Sequence, residues 1–428
     1  MSDNESTTSL EPLTGITVLE MSVALQGPAA GLYLRDMGAN VIKVEPPEGD
    51  AGRYHRGVNN TTPADALGPG FVAANRGKKS VSLDIHSAEG RAVVERLLAN
   101  ADVFLSNYRE SFLEKLGLDY ETLAPKYPQL VYAHVNGFGP EGPDKDKAML
   151  DGVAQARGGL ISLTGVPGET PLLLGAAVAD LGGAMHLALG VMTGLFARAQ
   201  HGKGQKVTTS ALGTMLWLQQ WELQQRMITG KPLTANGSHV PNMEGPYGVY
   251  DTKDGGSFMF ANAMGEESWD AFCIFCELFE LIGDKDWDTP GKRLGGSGVG
   301  QSPEAVRALF KEGFARKTTK EWIDFMYSQP ELILERVRSH DDVLTDEQNI
   351  ANEYIVPMTM PIIGDSRVVG NLVRLSETPG SVKGPAPVLG DDTAAVMTDL
   401  GFDNSTIDAV TERAATIREE IFQAIADS

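Results

Sequence analysis

The sequence predicts an α/β protein: a large Rossmann-like domain with a parallel, doubly wound sheet, plus a smaller α+β domain. Three observations carry this. Short β-branched runs alternate with amphipathic stretches through the first half of the chain. Near Pro232 the alternation gives way to a Gly-, Asn- and Pro-rich hairpin pattern. The length, 428 residues, suits two or three domains rather than one small core.

Taken in order, ITVLEM reads as a buried strand and Gln26-Gly27-Pro28 as a turn. PAAGLYLRDMGA follows as a helix with Pro28 near its first position, then NVIKVE as a second buried strand. That is a βαβ unit of roughly thirty residues. The alternation continues with strand SVSLDI, a helix begun at Ser87, strand DVFLSNY, the short helix YETLAPKY and strand LVYAHVNGFG. Beyond Gln200, HGKGQKVTTSAL is a turn and a strand, and one long helix is expected from Thr214 to Thr229. The stretch NGSHVPNMEGPYGVYDTKDGGSFMF has the look of an antiparallel hairpin. A helix capped by Ser302, with Pro303 first inside, and another with a Thr318–Glu321 capping box follow it. The tail reads as an amphipathic helix capped near Asn404 or Ser405. The expected division is 12–225 for the large domain and 230–335 for the small one, with 340–428 returning to the large domain.

Composition narrows the function. There are 36 Lys plus Arg against 57 Asp plus Glu, a net charge of −21. A nucleic-acid binder needs a basic face, so that class is set aside, while an anionic small ligand would need a local basic pocket. The polar, acidic N-terminus lacks the basic and apolar regions of a signal peptide. Leu181–Ala199 is long enough to span a membrane, but its glycines, His186 and the preceding Asp180 favour a buried helix. Cys273 and Cys276 form a CxxC without further ligands or a strand-to-helix context, and read as core in a reducing cytoplasm. No metal-ligand cluster is apparent, and no GxGxxG supports a dinucleotide.

The most unusual stretch is LLLGAAVADLGGAMH, Leu172 to His186. Its Asp180 has no Lys or Arg within ten residues on either side. An unpaired buried charge costs several kcal/mol or more, so it must be compensated or used. As a helix N-cap, it would accept amides of a helix beginning at Leu181. As a nucleophile, it would be ionised without a helper base and flanked by glycines that admit a substrate carbonyl, with the Gly182 and Gly183 amides as oxyanion donors. The two readings are compatible.

The chain resembles the family III CoA-transferases, which include formyl-CoA transferase and carnitine CoA-transferase. The likeness runs from about Leu13 to the C-terminus. It rests on PLTGITVLEMSVALQGPAAGLYLRDMGANVIKVEPPEGD, NRGKKSVSLDI, DVFLSNYRESFLEKLGLDY, GVAQARGGLISLTG, the stretch around Asp180, GKGQKV and APVLGDDTAAVMTDLGF, in that order and spacing. The resemblance implies that Asp180 is the nucleophile, passing through a mixed anhydride and an enzyme–CoA thioester. It also implies coenzyme A as substrate and product, acyl-CoA and carboxylic acid partners, and an interlocked homodimer. Carried over residue by residue, it assigns CoA binding to Leu25, Gln26, Asn75, Lys78, Asn107, Tyr108, Arg109, Lys115 and Lys147.

Departures from the family pattern are specific. Lys115 stands where formyl-CoA transferase has Arg, keeping charge but losing bidentate phosphate binding. Gln26 directly precedes Gly27-Pro28, one place from the family's Gln, and Lys147 is likewise one place off. The family's glycine loop is replaced by GSHVPNMEGPYG; the later LGGSGVG, 294–300, is either a lid or a connection. Two alternatives remain. A 2-methylacyl-CoA racemase would need a base where Leu150 stands, with His239 the substitute. A CoA-binding protein without turnover would bind CoA and leave Asp180 unused. Trp217, Trp221, Met227 and Met243 read either as an apolar acyl pocket or, for the tryptophans, as core.

Overall fold

The computed structural model describes residues 10–427 apart from 64, 244, 262–264 and 295–299, so most of the glycine-rich 294–300 stretch lies outside the described residues. The chain divides into two compact units. The first takes in residues up to Gly158, Ala176–Trp217 and everything from Asp346 on; the second takes in Gly159–Gly175 and Leu218–Thr345. The second unit therefore claims 159–175 and 218–225, which the sequence reading placed in the large domain.

The first unit is built on six parallel strands, β1 (Thr17–Met21), β2 (Asn40–Glu45), β3 (Lys79–Ser82), β4 (Val103–Ser106), β5 (Val131–Asn136) and β6 (Lys206–Ser210), in the order β3-β2-β1-β4-β5-β6. The order reverses between β1 and β4, the topological switch point at which α/β sheets of this kind bind ligands. Alternate residues of one strand serve opposite faces. Leu19 and Met21 pack with Leu97, Val396 and Val410, while Val18 packs with Ala30, Leu34 and Leu187. Burial on both faces is why these strands read as continuous apolar runs. Edge strand β3 is covered by the C-terminal segment, where Asp392 and Thr393 accept the amides of Ser80 and Ser82. A separate hairpin, β7 (Ile355–Met360) with β8 (Gly364–Val369), belongs to this unit.

The helix Val178–His201 is long and apolar enough to cross a membrane, yet Ala184, Leu187, Val191 and Leu195 bury one face of it in the core under the sheet. The expected helix over Thr214–Thr229 is two, Ala211–Leu218 and Gln220–Thr229, broken at buried Gln219 where the chain leaves the first unit. The C-terminal helix spans Asn404–Ala426 and its cap is Asp403, one residue earlier than expected, accepting the Thr406 amide.

The second unit has a three-stranded antiparallel sheet, Gly248–Asp251, Ser257–Phe260 and Leu334–Arg336. Its core is aromatic: Trp269, Phe272, Phe310, Phe314 and Trp322 pack together, with Phe314 and Trp322 stacked at 4.0 Å. Cys273 and Cys276 are free, buried members of that core. Ser302 caps its helix, and the Thr318–Glu321 capping box is complete.

Candidate active site

Asp180 is not a helix cap. The helix begins two residues earlier, at Val178, and Asp180 sits in its first turn. The residue in the capping position is Ala177, which has no side-chain acceptor. Asp151 supplies it from elsewhere in the chain: its Oδ1 accepts the amides of Ala179 at 2.7 Å and Asp180 at 3.1 Å. Asp151 Oδ2 in turn accepts from Gln155 Nε2 at 2.6 Å. The Asp180 carboxylate is thereby left without a hydrogen bond or ion pair among the described residues. Burial first, and the charge of Asp151 second, push its carboxyl up to about 6. Sequence reasoning missed Asp151 as a cap; a helix start of Ala177-Val178 with no Ser, Thr, Asp or Asn was the signal that an acceptor had to come from outside.

Gly182 and Gly183 lie in the second turn, where helical amides turn to carbonyls four residues back. They are therefore not free oxyanion donors, and this part of the sequence reading is corrected. What Gly183 provides is space. A Cβ there would stand 2.3 Å from Gln26 Nε2, so only glycine lets that amide lie against the helix. Gln26 is buried, and its Nε2 has no hydrogen-bond partner. A buried amide donor left unpaired is costly, so Gln26 holds a donor available to an acceptor from outside the chain.

Gln26 opens the helix Gln26–Asp36, directly after the turn that leaves β1. Asn107, at the end of β4, clamps that turn: its Oδ1 accepts from Val23 N and its Nδ2 donates to Val23 O, both at 2.9 Å. Asp50 accepts from Ala24 N, and Ala24 is held at φ 62°, a left-handed conformation unusual for a residue with a side chain. The adjoining Leu25 is half-buried.

Beside this turn, a cavity of about 730 Å³ opens at the carboxyl ends of β1, β2, β3 and β4. Met21, Val23, Pro46, Leu83, Ile85 and Tyr108 are among its walls. Below it lies a buried ionic network. Lys43 reaches Glu20 and Asp50, each at 3.2 Å, and Arg53 pairs with Glu45 at 2.6 Å. Lys78 Nζ lies 2.7 Å from Glu20, 2.7 Å from the Pro28 carbonyl and 2.9 Å from Asn75 Oδ1.

The structure thus separates the predicted binding residues. Leu25, Gln26, Asn107 and Tyr108 gather at the turn and cavity. Asn75 and Lys78 are buried behind it and occupied with one another and Glu20, so they are not presented to an anion. Burial pulls the Lys78 ammonium down to about 8 despite Glu20. Arg109, Lys115 and Lys147 are exposed; the first two flank Phe112 and Leu116, which line the cavity, and Lys147 lies 5.7 Å from the Phe138 ring. Trp217 and Trp221 are 59% and 58% exposed, so neither is core. His239, the substitute racemase base, belongs to the second unit, where its Nε2 meets the Tyr250 hydroxyl at 3.2 Å.

Fold and site define an α/β protein with a nucleotide-type crevice at a sheet switch point and one uncommitted carboxylate at a helix start. The sequence model of CoA-transferase family III matches residues 13–393. Succinyl-CoA–D-citramalate CoA-transferase of Chloroflexus aurantiacus is 31% identical over 393 residues, covering 91% of this chain and 94% of that one. (R)-2-hydroxy-4-methylpentanoate CoA-transferase of Clostridioides difficile is 31% identical over 404 residues, 92% and 97% of the two chains. A crystal structure of a CaiB/BaiF family protein from Brucella suis superposes with a TM-score of 0.79 at 29% identity, covering 91% of this chain and 100% of that one. The chain belongs to CoA-transferase family III. It is an acyl-CoA:carboxylate CoA-transferase, an enzyme that moves CoA between thioesters and carboxylic acids.

Proposed function

We propose that transfer runs through covalent intermediates on Asp180. Its carboxylate attacks the thioester carbonyl, forming an aspartyl–acyl mixed anhydride and expelling CoA thiolate. The thiolate attacks the aspartyl carbonyl, releasing the donor acid and leaving an enzyme–CoA thioester. The acceptor carboxylate attacks that thioester, giving a second mixed anhydride and thiolate. Attack of the thiolate on the acyl carbonyl then forms the new acyl-CoA and returns Asp180. One thioester is present at the start and at the end, so no ATP is consumed.

The observation that carries this is the division of labour between two aspartates. Asp151 takes the capping task, and Asp180 keeps a carboxylate unpaired among the described residues, one helical turn before Gly183, where the unpaired Nε2 of Gln26 lies as a donor for the oxyanion. The nucleotide end of CoA takes the crevice beside β1–β4, with Arg109, Lys115 and Lys147 outside it as the phosphate partners and the thiol end running past Leu25 and Gln26. The protein acts as a homodimer in the cytoplasm. The exposed apolar stripe Leu181, Met185, Leu189, Met192 and Phe196 on the long helix supports the first, and the free thiols Cys273 and Cys276 support the second.

The relatives named above differ in the acids they take, so donor and acceptor are read from a panel. The test is peptide mass spectrometry after mixing the protein with acyl-CoAs and quenching with hydroxylamine or borohydride. Donor-dependent modification of Asp180 is expected. An unmodified Asp180 with every donor, alongside CoA binding, overturns the covalent route.

A further inference from the structure

The crevice that we assign to the nucleotide end of CoA has one wall that is not part of the sheet's loops. It comes from the last two turns of the C-terminal helix. Along that helix the apolar positions 407, 410, 414, 417, 421 and 425 form one stripe at helical spacing. The first half of the stripe, Ile407, Val410 and Ala414, is buried in the core. The second half, Ile417, Ile421 and Ile425, joined by Phe422, faces the cavity instead. There Phe422 is still 39% exposed.

The helix is fastened over the cavity rather than draped on it. Arg413 Nε donates to Asp84 at 2.7 Å, and Arg418 Nε to the Pro47 carbonyl at 2.8 Å. Those two acceptors sit on the loops after β3 and β2, which form the cavity's other walls. Tyr54 meets Phe422 edge to face at 5.5 Å. An apolar face at Ile421 and Phe422 that lines the cavity and stays part-exposed, on a helix held in place by two arginines, suits an apolar occupant.

We infer that the C-terminal helix is part of the CoA site, with Ile421 and Phe422 packing against the adenine ring and so contributing to selection of CoA over shorter thiols. This rests on the transferase reading above and extends it. Three features commit the cavity to the base rather than the phosphates. Among the described residues, no Lys or Arg lines it. Its carboxylates are largely engaged already, Glu45 by Arg53, Asp50 by Lys43 and Asp84 by Arg413, and Glu48 adds a negative charge. A flat aromatic ring gains from stacking on Phe and Tyr faces, whereas a phosphate desolvated there has no partner. From the cavity, Val23 and Ala24 lead straight into Leu25 and Gln26, so a ligand anchored by its base extends toward the helix that bears Asp180.

The test is calorimetric titration of the full-length protein and its Phe422→Ala and Ile421→Ala variants with CoA and with 4′-phosphopantetheine, which keeps the thiol arm and lacks adenosine. Phe422 is exposed enough for its truncation to leave the fold intact, which circular dichroism checks. Each variant is expected to bind CoA about tenfold more weakly and 4′-phosphopantetheine unchanged. Equal weakening of both ligands, or no change in either, overturns the role of the helix. A wild-type protein that binds no CoA overturns both this inference and the transferase reading. CoA binding without any labelling of Asp180 overturns the covalent route alone.

Discussion

Asp151 Oδ1 accepts the backbone N–H of Asp180 at 3.1 Å, so one aspartate holds the amide of the other while its charge adds to the effect of burial in pushing that carboxyl up to about 6. Such a pair ties the position of the candidate nucleophile to its charge state.

Asp180→Ala is expected to reduce transfer by at least about a thousandfold, since the neighbouring carboxylate, Asp151, is committed to the amides of residues 179 and 180 and to Gln155. CoA affinity should change little. Initial rates with a labelled acyl-CoA, beside direct CoA titration, give the answer; transfer near the wild-type rate would remove Asp180 from the mechanism.

The raised carboxyl of Asp180 has two pH consequences. Attack needs the ionised form, so activity should rise with pH through about 6. Asp151→Asn removes a like charge and keeps an acceptor for the amides, so the acid limb should move to lower pH. An acid limb that stays put in this variant would assign the titration to another group.

Stability follows the opposite sense. A carboxyl whose folded pKa lies above its unfolded value stabilises the fold in its protonated form, and that contribution is lost as pH rises through about 6. Asp180→Asn, neutral at every pH, should therefore raise Tm at pH 8, by on the order of 1 kcal/mol in stability, and change little at pH 4. Thermal melts at the two pH values decide it, and an equal effect at both would argue against charge burial.

Gly183→Ala forces Gln26 out of its place, because the new Cβ would stand 2.3 Å from Nε2. A loss of up to about a hundredfold to a thousandfold in kcat is expected, that of removing one oxyanion donor. Adding Gln26→Ala to Gly183→Ala should cost little more, since both act on one amide. Additive losses in the double variant would show that the two residues act separately.

Lys78 and Lys115 should part company. Lys78→Met breaks a fully buried pair with Glu20 and is expected to cost about 3–5 kcal/mol in denaturant unfolding. Lys115→Ala should leave unfolding unchanged and weaken CoA binding severalfold, more so at low salt. A stable Lys78 variant with weakened CoA binding would return Lys78 to the phosphate site.

Much of the architecture is written locally. Ser87, Ser302 and the Thr318–Glu321 box announce their helices through contacts three residues long, and doubly buried strands such as TVLEM and NVIKVE announce a parallel sheet by lacking alternation. The isolation of Asp180 was legible for the same reason, since a charge without neighbours is visible in one dimension.

What the chain order could not disclose are the pairings between residues far apart. The cap that frees Asp180 comes from Asp151, 29 residues away, and the amide that meets Gly183 comes from Gln26 in another helix. Lys78 reads as a phosphate ligand in NRGKKS and becomes a structural ion only because β1 brings Glu20 to it across 58 residues. The last turns of the C-terminal helix look like any amphipathic stripe until folding sets them over the crevice. Local propensity determines which elements form; closing long loops and filling a core decide which side chains meet, and at this site the chemistry depends on those meetings.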